Sequence, residues 1–186
     1  MPALSAAPRW IAVALLLMAA GGHADDMEVP VGRQVPLLTR VLAFDRSMAG
    51  SRPLVVAIVY QERNRASRQA FEAAAAAFSR ATVQGRAVRV AGVPMTSLPR
   101  VSAALRSADV AYVAPLRGVD VAALVRASAA AGVLTVTGVR AYVQAGAAVG
   151  IGLRDGRPEI LLHRRAARAA GADFSARLLQ LATFVD

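Results

Sequence analysis

The sequence predicts an α/β fold: a three-layer sandwich around a mostly parallel sheet, with an antiparallel hairpin at one edge and helices at the C-terminal end. Three observations carry that expectation. Short, largely apolar runs rich in β-branched residues recur at "LVVAIVY" (54–60), "AVRVAGV" (87–93), "DVAYVAP" (109–115) and "VLTVT" (133–137), the mark of strands buried on both faces. Between them lie helical patterns at the spacing of βαβ crossovers, which are right-handed and put helices on both faces of a parallel sheet. Near the end, Asp155-Gly156 separates two short strand-like runs, a strong signal for a two-residue hairpin turn.

Each element follows in order. In "VPLLTRVLAF" (35–44), Leu38, Val41 and Leu42 fall at helical spacing, and "MAGSRP" closes the segment with a glycine-proline turn. The strand 54–60 comes next. "RASRQAFEAAAAAFSRA" then sets Phe71, Ala74, Ala75 and Phe78 on one face of a long helix. After strand 87–93, Ser97 stands at the N-cap of "LPRVSAALRS", whose Val101, Ala104 and Leu105 form an apolar stripe. Strand 109–115 leads to Asp120, an N-cap for "VAALVRASAAAG", with Gly132 placed to close that helix in a left-handed conformation. Strand 133–137 precedes "AAVGIGLRDGRPEILL", read as the edge hairpin. "RRAARAAG" and "SARLLQLATFV" are expected as two helices parted at Gly171. Ser175 caps the second, and Leu178, Leu181, Ala182 and Val185 face inward.

Residues 1–24, "MPALSAAPRWIAVALLLMAAGGHA", have the layout of a secretory signal: one Arg, a short apolar middle and small residues up to Ala24. The apolar run is too short to cross a bilayer, which takes about 20 residues. The expectation is a signal peptide over 1–24 and a single α/β domain over 25–186, exported to a bacterial periplasm. The chain has no cysteine, so disulfides, a thiolate nucleophile and a lipid-acceptor thiol are excluded.

The formal charge is +10, and every basic residue is Arg. Basicity of this size raises nucleic acid as a partner. The closing "LLHRRAARAAGADFSARLLQLATFVD" even has the outline of a helix-turn-helix, with Arg164, Arg165 and Arg168 crowding its first helix. Export removes cytoplasmic DNA as a target, and the arginines are scattered singly along the chain as biased codon usage would leave them. No nucleic-acid partner is expected, and that end reads as packing that finishes the fold.

Catalytic parts are sparse. Beyond the leader the one histidine is His163, at a strand end just before a helix, where a capping role is favoured over a Ser–His–Asp relay that has no nucleophile turn to serve. With one histidine and dispersed acids, no metal site is expected. A phosphate-binding Walker loop needs a lysine, and there is none. "GIGLRDG" places its third glycine one position late for a dinucleotide loop and leads into a hairpin instead of a helix. No cofactor and no enzymatic activity are expected. Ligands of open α/β sheets settle at the carboxyl ends of the strands, where strand order reverses. That places Tyr60 and Glu62, Pro115 and Arg117, and Thr137 and Arg140 around a crevice, with Arg117 able to clamp a carboxylate or phosphate.

In its C-terminal half the chain resembles the YfiR-like family of exported bacterial proteins. The resemblance is carried by Leu134, Thr135 and Val136, Tyr142 before Gly146, Gly156, Ala166 and Ala167, Gly171, Ser175, Leu178, Leu179 and Ala182. Three departures stand out: the usual glycine pair is Gly146-Ala147, the strand-end Asn is His163, and the family's cysteines are missing, so redox control is not carried over. The resemblance implies a periplasmic regulator without catalytic activity. Its implied partner is the periplasmic part of an inner-membrane sensor or diguanylate cyclase, and its implied effect is lower cyclic-di-GMP signalling. A small-ligand (solute) binding protein with an anionic ligand is the alternative reading, and a homodimer stays open.

Overall fold

The computed structural model describes residues 27–185, so the leader read over 1–24 lies outside the described residues. The elements run α1 (Val31–Ala43), a 3₁₀ turn (Arg46–Met48), β1 (Leu54–Tyr60), α2 (Arg65–Phe78), β2 (Thr82–Val83), β3 (Arg86–Pro94), α3 (Leu98–Leu105), β4 (Val110–Val113) and α4 (Val121–Ala130). There follow β5 (Leu134–Thr137), α5 (Arg140–Gln144), β6 (Val149–Arg154), β7 (Arg157–Leu162), α6 (Arg164–Ala169), α7 (Ala176–Leu181) and β8 (Ala182–Phe184).

These strands form one mixed sheet in the order β2-β3-β1-β4-β5-β6-β7-β8. β3, β1, β4, β5 and β6 are parallel neighbours, which is the flavodoxin-like order with β1 inside the sheet. β4 and β5 are buried at every residue, as their unbroken apolar runs require. Two cores flank the sheet. On one side Leu38, Leu42, Ala74 and Phe78 of α1 and α2 pack on Leu54, Val56, Ile58 and Tyr112, joined by Ala167 and Leu178 of α6 and α7. On the other, Val101, Leu105, Leu124 and Tyr142 of α3, α4 and α5 pack on Ala57, Val59, Ala111 and Val113. The sequence-based α/β sandwich is therefore the observed architecture.

Local chemistry explains most boundaries. Asp120 caps α4 by accepting from the Ala123 N–H at 2.9 Å. Asn64 caps α2 by accepting from the Ser67 N–H at 3.2 Å. Asp155 and Gly156, both at positive φ (50° and 73°), make the tight turn between β6 and β7 that was expected.

Four details differ from the sequence reading. A second hairpin joins β2 to β3 through Gln84 and Gly85 (φ 50° and 79°). Gln84 stabilises this unusual backbone by donating to the carbonyls of Ala43 and Asp45 at 3.1 and 2.7 Å. Helix α5 spans five residues, too few to show a periodicity. The last helix stops at Leu181, because Ala182–Phe184 instead extends the sheet beside β7. The Val185 N–H donates to Leu162 O at 3.0 Å, and Leu181 is 63% exposed in place of the inward position expected for it. The hairpin is therefore not the outer edge; β8 covers it.

Two polar arrangements, one buried and one partly exposed, lock the parts together. Fully buried Gln34 on α1 donates to Val29 O and accepts from the Tyr112 hydroxyl at 3.0 Å, tying the first helix to the centre of the sheet. Burial pushes the Tyr112 phenol up, so it stays protonated and keeps donating. Gly138 gives Gln34 its room: a Cβ there would stand 2.1 Å from the Gln34 amide. The second arrangement centres on Arg140, which donates to Glu28 (3.1 Å), Leu153 O (2.7 Å) and Glu159 (2.6 Å). Glu28 accepts from the Leu153 N–H at 2.6 Å, and Glu159 accepts from the Thr183 hydroxyl at 3.0 Å. One guanidinium thus joins the start of the described chain to β6, β7 and β8. Burial alone would raise both carboxyls, but the hydrogen bonds and charge of Arg140 outweigh it, and both lie below the ordinary 4.5.

Two outcomes follow. Gly138→Ala forces a methyl into the Gln34 amide and costs about 3 kcal/mol of stability, read by denaturant unfolding at constant slope. Arg140→Ala costs about 2 kcal/mol at pH 7, since it leaves Glu159 without its closest cation. Because both glutamates have lowered native values, their contribution is present above pH 4.5 and fades as pH falls through those values. The stability gap between native and Arg140→Ala protein therefore narrows on acidification; a gap that stayed constant down to pH 3 would show that the pairing contributes nothing.

Candidate functional site

The carboxyl ends of β1, β3 and β4 meet around an open cleft of about 770 Å³. Its construction begins where β1 leaves the sheet. The Gln61 N–H donates to the Ser67 hydroxyl at 2.9 Å, so the first turn of α2 holds the loop that precedes it. The Gln61 side chain then reaches across to the loop after β4. Its amide accepts from the Arg117 N–H at 2.7 Å and donates to the Arg117 carbonyl at 2.9 Å. One residue earlier, the Tyr142 hydroxyl accepts from the Leu116 N–H at 2.7 Å and donates to the Leu116 carbonyl at 3.0 Å. Two successive residues of one loop thus have both backbone polar groups held by a single side chain each.

The effect is to aim Arg117. Its backbone is fixed while its side chain is exposed and lines the cleft with Glu62, Arg63, Pro94 and Met95. Arg63 and Arg117 outnumber Glu62, so the lining is net positive. A guanidinium on a fixed backbone loses less freedom when it grips a planar anion, and it presents a fork suited to carboxylate or phosphate. Thr96 adds a hydroxyl, but no histidine lines the cleft and no nucleophile–base pair stands there. The arrangement is equipped to bind.

The sequence-predicted residues separate. Glu62 and Arg117 line the cleft together. Tyr60 stacks on Phe71 with ring centroids 4.1 Å apart and pins α2 to the sheet. Pro115 is buried in the loop below Arg117. Thr137 is fully buried; its hydroxyl donates to Val113 O at 2.9 Å and accepts from the Val139 N–H at 3.1 Å. Arg140 belongs to the ion-pair network of the hairpin. Gln61, Arg63, Pro94, Met95 and Thr96 are lining residues that the sequence reading leaves out; three of them close β3, the neighbour of β1 on its other side.

His163 stands at the N-cap of α6, where its Nδ1 accepts from the Ala166 N–H at 3.2 Å. Among the described residues no group of three or more histidines and carboxylates is placed to share a metal ion. No helix among them is long and apolar enough to cross a membrane.

Three solved structures share this architecture at 13–14% identity, which establishes the fold alone. One is a conserved domain protein from Vibrio cholerae O1 biovar El Tor (TM-score 0.60, 14% identity, 84% of this chain and 60% of that one). Another is the ABC domain from Streptococcus pneumonia in complex with L-Trp (TM-score 0.62, 13% identity, 84% and 62%). The third is the ligand-free, open form of a substrate binding protein with adhesive properties from Clostridium difficile (TM-score 0.57, 14% identity, 85% and 60%). The chain spans 60–62% of the length of these proteins. No curated protein matches the sequence. A family model described as YfiR/HmsC-like matches residues 42–183, from the end of α1 into β8, and this chain belongs to the YfiR/HmsC-like family.

Proposed function

We propose that this chain is a non-catalytic regulator of the bacterial periplasm, which binds the periplasmic part of an inner-membrane sensor or diguanylate cyclase and lowers cyclic-di-GMP output. Family membership across 42–183 carries the reading. The use of polar side chains supports it. Around the cleft, Gln61, Ser67, Tyr142 and Thr137 are committed to backbone groups, and His163 caps a helix. In this reading residues 25–186 act as one domain, delivered behind a leader cleaved after Ala24.

Deleting the gene raises cellular cyclic-di-GMP severalfold, and the exported protein, with Asp25 at its amino terminus, co-purifies with the partner's periplasmic part. Unchanged cyclic-di-GMP together with no co-purification defeats the reading.

A second reading has its own observation, the fixed backbone of Arg117 at the rim of a net-positive cleft. Here the protein captures a small anionic solute. The fold is shared with the L-Trp complex and the substrate binding protein named above, which fits capture without identifying a ligand. Phosphate or a small dicarboxylate at about 100 times its Kd then stabilises the protein by about 2.7 kcal/mol, read as a rise in thermal midpoint. Arg117→Ala removes that rise and leaves the unliganded midpoint within about 2 °C. No rise with any anion excludes this second reading.

A further inference from the structure

Three large apolar side chains are exposed among the described residues, and all lie between 179 and 184: Leu179, Leu181 and Phe184. They surround β8, the outermost strand on its side of the sheet. β8 pairs with Ile160–Leu162 of β7 and, among the described residues, leaves Arg157–Glu159 without a strand neighbour on that side. Peptide groups alternate in direction along a strand, and the Val185 N–H points inward to Leu162 O. Thr183 therefore faces β7, whereas Ala182 and Phe184 turn their peptide groups outward. The Ala182 N–H closes α7 onto Leu178 O, so the Ala182 carbonyl and both groups of Phe184 form the open edge.

Two grooves flank this edge, and each holds one of the exposed leucines. The larger, about 610 Å³, is lined by Arg154, Arg157, Ile160 and Leu181, with Asp155 and Glu159 between them. The smaller, about 230 Å³, is lined by Arg164, Arg168, Phe174 and Leu179, with Asp173 beside them. Carboxylates stand among these arginines, but Glu159 is paired with Arg140 and Arg154, and Asp173 with Arg46, which leaves Asp155. Arg157 and Arg168 in the linings, with Arg165 and Arg177 beside them on α6 and α7, are exposed and form no ion pair with another described residue, so the margin is basic on balance. Backbone groups at an edge, with side-chain grooves beside them, are what strand addition uses for affinity and specificity. The charge selects the occupant. A second copy would bring one arginine rim against another, and a lipid surface offers nothing to the open peptide groups.

We propose that β8 is a docking edge for an extended acidic segment of a partner protein. The segment adds beside β8, sets apolar side chains against Leu181 and Phe184, and sets carboxylates against Arg157, Arg165, Arg168 and Arg177. The proposal rests on the partner-binding reading above and gives that reading a surface.

The probe is the peptide EVEVEVE, with KVKVKVK as its charge-reversed counterpart, titrated into the exported protein. Saturating EVEVEVE slows hydrogen exchange at the Phe184 amide by about tenfold or more, and KVKVKVK does not. The pair Leu181→Asp and Phe184→Asp weakens binding by about tenfold or more, as does the pair Arg157→Glu and Arg168→Glu, which leaves the apolar contacts in place. Unchanged Phe184 exchange, equal binding of both peptides, or shifts confined to the Gln61–Arg117 cleft overturns the proposal. So does Leu181-dependent sedimentation with phosphatidylglycerol vesicles without peptide binding, which assigns the patch to lipid. Concentration-dependent protection of the same amide without peptide assigns it to a second copy and overturns the proposal equally. Co-purification of the membrane partner that persists in Leu181→Asp, Phe184→Asp protein overturns the edge and leaves the regulatory reading standing. Peptide binding at the edge without any co-purification does the reverse.

Discussion

The hydrogen bonds that join the Gln61 amide to the backbone N–H and carbonyl of Arg117 answer a constraint set by the sheet. Parallel strands deliver all their outgoing loops to one end, where the ladder stops and each loop must find other partners for its backbone groups. This protein answers with side chains. Gln61 holds Arg117, Tyr142 holds Leu116, and Thr137 holds both Val113 and Val139. The end of the sheet where ligands of such folds bind is thereby made rigid. Gln61, Tyr142 and Thr137 are engaged with backbone, and the groups left facing solvent are the charged Glu62, Arg63 and Arg117 with the Thr96 hydroxyl. A rigid frame carrying a few charges suits recognition.

The same economy orders the arginines. Arg86 is buried and donates to the carbonyls of Met48, Arg52 and Pro53, with Asp109 nearby, closing the opposite end of the sheet. Arg140 joins the first described residues to the hairpin. Arg46 and Arg52 pair with Asp173 and Asp109. These positions hold the fold whatever set the composition. The exposed arginines that form no ion pair with another described residue are spread over the surface, Arg33, Arg65, Arg100 and Arg126 as well as Arg117 and those near β8, so the excess charge belongs to the whole surface.

Much of the fold was legible because two-sided burial leaves a strong mark. β1, β4 and β5 need apolar side chains on both faces, and their runs stand out without any knowledge of neighbours. The Asp155-Gly156 turn was legible because both residue types accept positive φ. Gln84 at φ 50° carries no such signal, and its compensation comes from carbonyls some forty positions away in the chain. β8 was hidden by a coincidence of periods. Leu178, Leu181, Ala182 and Val185 fit a helical stripe, yet the open side of β7 offered ladder bonds that a sequence pattern does not display. The site was half legible for a related reason. Strand ends could be found, but Thr137 and Pro115 look the same in sequence whether they face a ligand or a neighbouring loop. Adding the β3 end, with Pro94 and Met95, requires knowing that β3 lies beside β1.

The two ends of the sheet order are closed unequally, and the difference follows from burial. At the β2 end, the side chains β3 exposes are Ala87, Arg89 and Ala91, two of them small and one charged. Small and charged residues give an approaching strand little apolar surface to cover, which protects a sheet margin from pairing with other chains. At the β8 end the exposed side chains include the large apolar Leu179, Leu181 and Phe184 beside the arginines. Arg164 lies over the Phe184 ring at 4.5 Å, and Thr183 is tied through Glu159 to Arg140, so this margin is held in place while its apolar surface stays uncovered. A strand that was merely the last to fit would not need an anchor running back through β7 to α5 and to Glu28. Its anchoring makes it a firm platform, and firmness lowers the ordering cost of any contact made there.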